Sequence, residues 1–152
     1  PSAPAVVRRA TPLAGLPLGM TAHVVFSAID PVAPATTSVT MVRQVIRGFI
    51  GFQGLLMSDD ISMNALSGSI AERSRAALAA GCDVVLHCNG NLGEMVAVAN
   101  ETPELTGEAA RRADAALVAR KAPEEFDTEA ARRLFTQMID DKRTEFQRKI
   151  GA

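Results

Sequence analysis

The chain has 152 residues, of which 47% are hydrophobic and 22% charged, proportions typical of a folded domain and not of a disordered chain. Its 16 basic and 17 acidic residues leave a formal net charge of -1, so it lacks the strong field of proteins that bind nucleic acid or anionic membranes. The two cysteines lie outside any motif with zinc-ligand spacing, and no run approaches the roughly 18 apolar residues of a membrane span. A disulfide framework, a structural metal site and an integral membrane protein are therefore not indicated.

The first predicted strand follows a Pro- and Ala-rich stretch, residues 1–19, which has no sustained period and is interpreted as the remnant of a preceding element. Because the chain starts at Pro1 without an initiator Met, we expect its natural N-terminus to be missing. Met20–Phe26 is a short apolar run rich in β-branched residues, and Pro31 prevents its extension. This pattern predicts a strand that is buried on both faces.

Two helices and two more strands are predicted next. Thr37 or Ser38 can cap a helix in which valine and isoleucine recur at helical spacing and which Gly48 can end. The elements that follow are a strand at Gly54–Ser58, a helix at Ile70–Ala80 with Gly81 as its stop, and a strand at Asp83–Cys88. Because the strands are continuously apolar and do not alternate, they predict two βαβ units in a parallel sheet with both faces covered.

The rest of the chain is predicted to be helical, with segments near 92–100 and 106–120 and an amphipathic helix from about Glu125 to Arg148. We expect the apolar stripe of this last helix to pack against the sheet and its helices. Its members are Phe126, Ala130, Leu134, Met138 and Ile139. A parallel sheet of three strands has open edges and is an unusual complete domain. We therefore predict an α/β fold that is a partial (β/α)8 barrel, with these as its last three strands, since a whole barrel takes about 250 residues.

The carboxyl ends of the predicted strands carry the side chains best suited to chemistry, because loops converge there in parallel α/β folds. Asp59 and Asp60 directly follow the second strand, where a carboxylate suits a nucleophile, a general base or a metal ligand. An Asp that caps the following turn is equally frequent, so spacing leaves both roles open. Neighbouring side chains on an extended backbone point to opposite sides, so at most one of the pair attacks a substrate. Ser58 and Met63 are candidates to line a pocket beside them.

Two histidines also lie in or after predicted strands. His23 is inside the first apolar run, where a hydrogen-bonded core histidine is the default. His87 follows the third strand beside Cys88 and Asn89, so His87 and Asn89 are further candidates for a substrate pocket. Neighbours in sequence need not face each other, and a metal site or a Cys–His nucleophile is only weakly indicated. No glycine-rich phosphate motif occurs, so nucleotide binding is not indicated.

Four blocks of the sequence, taken in order, resemble consecutive blocks of the bacterial glycoside hydrolase family 3 β-N-acetylhexosaminidases. The most discriminating is the Ser-Asp-Asp-Ile-Ser-Met stretch that contains Asp59, and the ordered set carries more weight than any single block. The resemblance runs from about Pro17 to Gly90 and continues weakly through the predicted C-terminal helices. The blocks are Met20–Pro31, Val45–Gly48, Ile50–Met63 and Ala80–Gly90.

This resemblance implies that residues 20–122 are the C-terminal part of the family's barrel, with residues 123–152 as a helix that packs on it. It also implies that Asp59 is the nucleophile of a retaining exo-β-N-acetylglucosaminidase. In that family the acid/base is a histidine supported by an aspartate on a mobile loop after an earlier strand, and an upstream Lys-His-x-Pro-Gly signature holds the sugar. This chain has no such signature, and His23 and His87 lie in blocks that match other parts of the family. We therefore expect about five strands to be missing and the chain to be inactive alone.

The resemblance further implies intact relatives that are cytoplasmic and need no cofactor or metal. Their substrates would be muropeptides bearing anhydro-N-acetylmuramic acid, from which they remove terminal N-acetylglucosamine in peptidoglycan recycling. The alternative is a non-catalytic, degenerate fragment or interaction module that self-associates through open sheet edges. An upstream coding sequence with Lys-His-x-Pro-Gly would favour the enzyme, and a genuine Met just before Pro1 would favour the alternative.

Overall fold

The computed structural model describes residues 11–150 and divides the chain into two units, residues 1–120 and residues 121–152. Within residues 11–120, the first unit contains a three-stranded sheet and four helices, and the second unit contains one long helix. No helix in the described part of the chain is both long and apolar enough to cross a membrane.

The sheet is parallel, with its strands in the order β1-β2-β3, as predicted. The strands are β1 (Leu18–Met20), β2 (Leu55–Asp60) and β3 (Val84–Leu86). Leu18 pairs with Leu55 and Met20 with Met57, which in turn pairs with Val84 on the other side. Successive strands are therefore neighbours, as expected for part of a (β/α)8 barrel.

The prediction of a first strand at Met20–Phe26 is wrong, because β1 begins two residues earlier, at Leu18, and already ends at Met20. Backbone pairing ends at Thr21, whose N–H donates to a carbonyl oxygen of β2 at 2.9 Å. Two residues later the imidazole of His23, and not a backbone N–H, meets the carbonyl oxygen of Asp60 at 2.8 Å. A side chain thus takes the place of the next bond between the strands, and regular pairing stops.

Within residues 11–150 a short 3-10 turn, Thr11–Gly15, is followed by five helices. These are α1 (Thr40–Phe49), α2 (Ile70–Ala80), α3 (Leu92–Glu101), α4 (Gly107–Val118) and α5 (Thr128–Ile150). α1 is wound as a π-helix and continues through Gly48, where the sequence predicted its end. Near its start the hydroxyl of Ser38 accepts the N–H of Met41 at 3.0 Å, so Ser38 and not Thr37 supplies the side-chain cap.

Both ends of α2 are capped, and its bounds are those predicted. The hydroxyl of Ser69 accepts the N–H of Glu72 at 3.3 Å, and the carboxylate of Glu72 accepts the N–H of Ser69 at 2.8 Å. Gly81 follows at φ +120°, a conformation that favours glycine, and its N–H donates to the carbonyl of Ala77 at 3.3 Å. These contacts fix the crossover that connects β2 to β3.

The core lies on one side of the sheet. It consists of a buried cluster of Val42, Phe52, Leu56 and Ala80. Ser58 is buried on the same side of β2, whereas Leu55 and Met57, on the opposite side, are only half-buried. The prediction that both faces of the sheet are covered is therefore wrong: one face packs against helices, and the other is partly open.

Gly54 allows the chain before β1 to approach β2 closely. A Cβ added to Gly54 would lie 2.8 Å from the carbonyl oxygen of Pro17 and closer still to that of Leu16. The same carbonyl of Pro17 accepts the N–H of Leu55 at 2.9 Å. Any side chain at this position would force the first two strands apart at their amino ends.

A charged cluster around one buried carboxylate ties the amino end of the sheet to two helices. Asp83, which precedes β3 and has a side chain 5% exposed, pairs with Arg47 of α1 at 2.6 Å and with Arg112 of α4 at 2.8 Å. Its carboxylate also accepts the N–H of Leu56 at 2.8 Å. Arg47 in turn donates to the carbonyl oxygen of Gly54 at 2.7 Å. One carboxylate thus joins α1, α4 and the first residues of β2.

The second unit consists mainly of α5. The helix begins at Thr128, three residues later than predicted, and the carboxylate of Asp127 accepts the N–H of Ala130 at 2.8 Å near its first turn. The large members of the predicted apolar stripe are each more than half exposed: Phe126, Leu134, Met138 and Ile139. The packing of this helix on the barrel part stays a prediction.

Candidate active site at the carboxyl end of β2

Asp59 and Asp60 are the last two residues of β2, so they lie at the carboxyl end of the sheet, where the sequence predicted them. Both are partly exposed. The loop after β1 reaches this pair through His23, and the loop after β3 reaches it through Cys88. The ends of three neighbouring strands therefore converge on two adjacent carboxylates.

The carboxylate of Asp60 is occupied by its own turn and by the next strand. Its Oδ1 accepts the N–H of Ser62 at 2.9 Å and that of Cys88 at 3.1 Å, and its Oδ2 accepts the hydroxyl of Ser62 at 2.7 Å. Desolvation raises the pKa of Asp60, but these hydrogen bonds together outweigh it and hold the pKa below its usual value. Asp60 is thus a structural acceptor that closes the turn after β2.

The carboxylate of Asp59 is far less engaged. Its Oδ1 accepts the N–H of Asp60 at 2.8 Å, and within residues 11–150 its Oδ2 accepts no hydrogen bond. Spacing alone left the roles of cap and catalyst open for the pair. The geometry gives the capping role to Asp60 and leaves Asp59 as the carboxylate that is available to a ligand.

An irregularity in strand pairing lies next to Asp59. Between Met57 and Asp60, β2 advances by three residues while β3 advances by two. The hydroxyl of Ser58 accommodates the extra residue, because it accepts the N–H of Leu86 at 2.9 Å in place of a backbone carbonyl. Such bulges re-aim neighbouring side chains and are frequent beside active sites. Ser58, predicted as a pocket residue, is fully buried here and supports Asp59 from within the sheet.

His23 is a hydrogen-bonded histidine beneath the site, in keeping with the default expectation for its apolar surroundings. Its Nε2 lies 2.8 Å from the carbonyl oxygen of Asp60, and its Nδ1 lies 2.8 Å from the hydroxyl of Thr36. The hydroxyl of Thr36 lies 2.8 Å from that of Thr21, and both threonines are buried. A carbonyl only accepts, so Nε2 carries a hydrogen, and in the neutral ring Nδ1 accepts from Thr36. With both ring nitrogens engaged, His23 positions the Asp60 backbone.

His87 and Asn89 form a cluster with Glu94 of α3 at the end of β3. The side chain of His87 is 6% exposed, and its Nε2 lies 2.9 Å from Oε2 of Glu94. The side-chain amide of Asn89 donates to the same oxygen at 2.7 Å. The hydrogen bond from His87 is the main cause of a lowered pKa of Glu94, and that from Asn89 is the second. These contacts hold the loop after β3, and a substrate contact of either residue stays a prediction.

The loop that follows Asp60 is held by Arg73 of α2. Its guanidinium donates to the carbonyl oxygens of Ile61 at 2.9 Å, Met63 at 3.1 Å and Gly68 at 3.0 Å. Met63, the fourth pocket candidate, is 44% exposed on this loop. A single arginine therefore fixes the backbone that would form one wall beside Asp59.

Sequence reasoning missed three residues that shape the site: Ser62, Arg73 and Glu94. For Ser62 a signal existed, because Asp-x-Ser is a common turn in which the carboxylate accepts the serine N–H. Arg73 and Glu94 lie inside helices whose local pattern gives no indication of the loops that they contact. Those contacts depend on how the helices are placed on the sheet.

Among the described residues, Asp59 belongs to no three-ligand metal cluster and lines neither of two pockets of about 600 Å³. Within the part of the chain that the structure describes, no group of three or more His, Cys, Asp or Glu side chains could hold a metal ion. A pocket of about 590 Å³ is lined by Asp83 and Arg112, and another of about 600 Å³ by Val25 and Arg73. Asp59 lines neither of them, so its carboxylate stands at the open end of a partial sheet.

Comparison with known proteins extends these observations. The sequence profile of the glycosyl hydrolase family 3 N-terminal domain matches residues 10–118. The beta-hexosaminidase of Alkalilimnicola ehrlichii is 51% identical over 76 residues, which is 49% of this chain and 22% of that protein. The beta-hexosaminidase of Idiomarina loihiensis is 36% identical over 105 residues, which is 68% of this chain and 32% of that protein. The chain therefore spans about a fifth to a third of the length of these relatives.

This chain also matches only a quarter to a third of the length of related solved structures. Native NagZ from Neisseria gonorrhoeae is 32% identical with a TM-score of 0.55, covering 77% of this chain and 32% of its own. The beta-N-acetylglucosaminidase from Thermotoga maritima is 31% identical with a TM-score of 0.55, covering 68% of this chain and 25% of its own. In each case the matched segment is a quarter to a third of a longer fold.

Proposed function

The chain belongs to glycosyl hydrolase family 3, and we propose that it is the nucleophile-bearing part of a retaining exo-β-N-acetylglucosaminidase. The family match over residues 10–118 supports a glycosidase, and the relatives' name, beta-hexosaminidase, supports an N-acetylhexosaminide as the substrate. The proposal assigns the covalent step to Asp59.

The observation that carries this assignment is the contrast between two adjacent carboxylates. Asp60 is held by the N–H groups of Ser62 and Cys88, whereas Asp59 keeps one oxygen without a hydrogen bond among the described residues. A nucleophilic carboxylate needs a free lone pair at the carboxyl end of the sheet. Asp59 meets this requirement and Asp60 does not.

In the proposed mechanism a carboxylate oxygen of Asp59 attacks the anomeric carbon of the terminal sugar. The C–O bond to the leaving group breaks, and the leaving oxygen takes a proton from a general acid. A water then attacks the anomeric carbon of the glycosyl-enzyme, gives its proton to the same residue acting as base, and frees the carboxylate. His23 and the bulge at Ser58 hold the strand end that aims Asp59.

We propose that the general acid is not supplied by this chain. Its two histidines are His23, both of whose ring nitrogens are engaged beneath the site, and His87, whose Nε2 is bonded to Glu94 and whose Nδ1 is buried, so neither presents a ring nitrogen to a ligand beside Asp59. Acid/base assistance is worth about 10² to 10⁴-fold in rate. The polypeptide alone should therefore be close to inactive.

The finer part of the proposal concerns the substrate and its place in the cell. We propose terminal N-acetylglucosamine on muropeptides as the substrate, in cytoplasmic peptidoglycan recycling, with Met63, His87 and Asn89 at the rim of the sugar pocket. A neutral sugar suits a chain whose formal net charge is -1. No cofactor has a part in this mechanism.

A chimera tests the proposed function directly. The 105-residue segment of the Idiomarina loihiensis protein that matches this chain is replaced by the matching residues of this chain, which places Asp59 beside that protein's own upstream residues. We expect hydrolysis of an aryl β-N-acetylglucosaminide, and a loss of roughly 10³-fold or more in kcat for Asp59→Ala. Equal rates for a folded chimera and its Asp59→Ala variant would refute the nucleophile assignment.

The unmodified chain supplies the second arm of the test. It should hydrolyse the same aryl glycoside no faster than its own Asp59→Ala variant, because a general acid is missing. Turnover by the chain alone that disappears with Asp59→Ala would show that the chain is a complete catalyst.

A second candidate function is a non-catalytic module that self-associates through its sheet. The partly open face, with Leu55 and Met57 half-buried, favours it. The chimera separates the two candidates, since a degenerate sheet would fold in the relative's context without turnover.

A further inference from the structure

One Asn-Gly pair occurs in the sequence, and it lies in the exposed loop after β3, at Asn89 and Gly90. An asparagine before glycine loses ammonia when the glycine backbone nitrogen attacks the side-chain amide carbon, because glycine has no side chain to obstruct the approach. Gly90 adopts φ +74°, and a Cβ built on it would meet no atom within 4 Å. Among residues 11–150 its N–H donates no hydrogen bond. The attacking nitrogen is therefore unobstructed and open to solvent.

The side-chain amide of Asn89 is held at both of its polar atoms. Its Oδ1 accepts the N–H of Asn91 at 2.8 Å, and this turn folds the amide back over the peptide that contains the Gly90 nitrogen. Its Nδ2 donates to Oε2 of Glu94 at 2.7 Å. The group that is attacked is therefore kept against the group that attacks, which reduces the entropy lost in reaching the reactive geometry.

The partners of this amide match the charges that develop during the attack. The amide oxygen gains negative charge, and the N–H of Asn91 already donates to it. The leaving nitrogen takes up a proton and gains positive charge, and it faces the carboxylate of Glu94. A hydrogen bond from the buried His87 is the main cause of the lowered pKa of Glu94, which keeps this carboxylate ionised at neutral pH. Polar groups fixed in advance beside such charges lower the barrier of a reaction.

We propose that Asn89 is a site of self-catalysed deamidation, promoted by the N–H of Asn91 and the carboxylate of Glu94. A bond forms between the Gly90 nitrogen and Cγ of Asn89, and the proton of that nitrogen passes through solvent to Nδ2. The bond between Cγ and Nδ2 then breaks, so ammonia leaves and a succinimide ring remains. Water adds to one of the two ring carbonyls, and the ring opens to aspartate or isoaspartate. Water is the only co-reactant, and nothing is oxidised or reduced.

The reaction changes the contacts that hold the loop after β3. It replaces an amide that donates to Glu94 by a carboxylate, so two negative charges then lie where a hydrogen bond was. The same loop carries Cys88, whose N–H donates to the carboxylate of Asp60 at 3.1 Å. Because ammonia is lost, the change is not reversed in the protein. Deamidation of Asn89 therefore loosens, in one direction only, the loop that closes the turn after β2.

The first experiment compares the folded chain with a synthetic peptide of residues 84–96 during incubation at neutral pH. Peptide mapping by mass spectrometry in oxygen-18 water measures aspartate and isoaspartate formed at position 89. We expect Asn89 to react at least about tenfold faster in the folded chain than in the peptide, because only the fold supplies the positioned groups. Asn100, which is also exposed but precedes Glu101, is the internal control and should stay intact. An equal or slower rate in the folded chain would overturn the proposal.

A second experiment removes the charge of Glu94. Glu94→Gln keeps an acceptor beside Nδ2 of Asn89 but no longer stabilises its positive charge, and we expect deamidation at least about tenfold slower than in the parent chain. Glu108→Gln, on the exposed side of α4, is the matched control and should react like the parent. An unchanged rate in Glu94→Gln, with a circular dichroism spectrum like that of the parent, would show that the Asn-Gly sequence alone sets the rate and would overturn the proposal.

The consequence for the loop is tested with two variants of Asn89 itself. Asn89→Ala removes the contact with Glu94, whereas Asn89→Asp also introduces the charge that deamidation produces. We expect a lower Tm for Asn89→Asp than for Asn89→Ala, because only the first sets two carboxylates beside each other. A Tm of Asn89→Asp equal to or above that of Asn89→Ala would overturn the inferred loosening of the loop. None of these measurements needs glycosidase activity, so their outcome is independent of the proposed function.

Discussion

The carboxylate at the amino end of the sheet and the one at its carboxyl end differ in burial and in hydrogen bonding. At the amino end, Asp83 is buried and shared by Arg47, Arg112 and the N–H of Leu56. At the carboxyl end, Asp59 is partly exposed and keeps one oxygen without a hydrogen bond among the described residues. The carboxylate of Asp83 thus joins several elements of the fold, whereas the carboxylate of Asp59 remains available to a ligand.

An aspartate that stabilises the fold differs from one that is available to a ligand in the number of hydrogen bonds that its carboxylate accepts. Asp60, next to Asp59, belongs with Asp83 in this respect, because three hydrogen bonds from Ser62 and Cys88 satisfy it. In their hydrogen bonding, the neighbours Asp59 and Asp60 therefore differ more than Asp60 and Asp83 do, although Asp60 and Asp83 lie at opposite ends of the sheet. The number of satisfied lone pairs, and not position along the strand, separates the roles.

The largest expected effect is at the amino end. Asp83→Ala leaves the guanidinium groups of Arg47 and Arg112, whose side chains are 14% and 16% exposed, without their shared carboxylate, and we expect a loss of about 3 kcal/mol in the free energy of unfolding. Urea denaturation measures it. Glu101→Ala, which breaks the more exposed pair with Arg75 at 2.6 Å, is the matched control and should cost less than about 1 kcal/mol. Similar losses for the two variants would mean that burial does not distinguish these pairs.

The two cysteines allow the amino and carboxyl ends of the sheet to be compared by chemical labelling, because Cys82 adjoins Asp83 and Cys88 lies at the carboxyl end. Burial raises the pKa of the Cys82 thiol from 9.0 to about 11, which lowers its thiolate fraction near pH 8 about 100-fold. Cys88 is exposed. We expect a maleimide to modify Cys88 at least about 100-fold faster than Cys82, as measured by mass spectrometry of the folded protein. Comparable rates would show that the amino end opens on the labelling timescale.

The two aspartates of β2 should respond differently to the same substitution. Asp60→Ala leaves the N–H groups of Ser62 and Cys88 without their acceptor, and we expect a loss of about 1 to 3 kcal/mol in the free energy of unfolding. Asp59→Ala should change it by less than about 0.5 kcal/mol. Thermal unfolding of both variants measures the difference. A larger loss for Asp59→Ala would reverse the structural and functional roles given to the pair.

The smallest effect is in the pH dependence of stability. The pKa of Asp60 is lower in the folded chain than its usual value, so the folded state binds fewer protons at this group than the unfolded state does. Its contribution is therefore complete above the unfolded pKa of about 3.9 and is lost as the pH falls through the folded pKa. We expect Asp60→Asn to lose less stability than the parent between pH 5 and pH 2.5. Equal losses in urea titrations would place the acid sensitivity elsewhere.

The sheet order and the helix Ile70–Ala80 were predictable because their signals are local. Continuous apolar runs indicate parallel strands, and glycine at a helix end indicates a stop. The bounds of β1 were not predictable in this way. They depend on an imidazole, that of His23, which meets the carbonyl of Asp60 from 37 residues away.

The site was predictable to the level of the Asp59–Asp60 pair and no further. Which carboxylate is occupied depends on the N–H of Cys88, which reaches Asp60 across 28 residues. The pocket candidate Ser58 proved to be buried because the bulge requires its hydroxyl inside the sheet. The π-winding of α1 had no counterpart in the apolar period that predicted a helix there.

The hydrogen bonds of His23 give the protein an internal spectroscopic reporter. Because Nε2 must carry a hydrogen toward the carbonyl of Asp60 while Nδ1 faces the hydroxyl of Thr36, the ring is restricted to one tautomer when neutral. A nitrogen-15 NMR spectrum distinguishes protonated from unprotonated imidazole nitrogens without reference to any ligand. The signal of one ring would therefore report whether the strand end that carries Asp59 is assembled, even in a preparation that has no enzymatic activity.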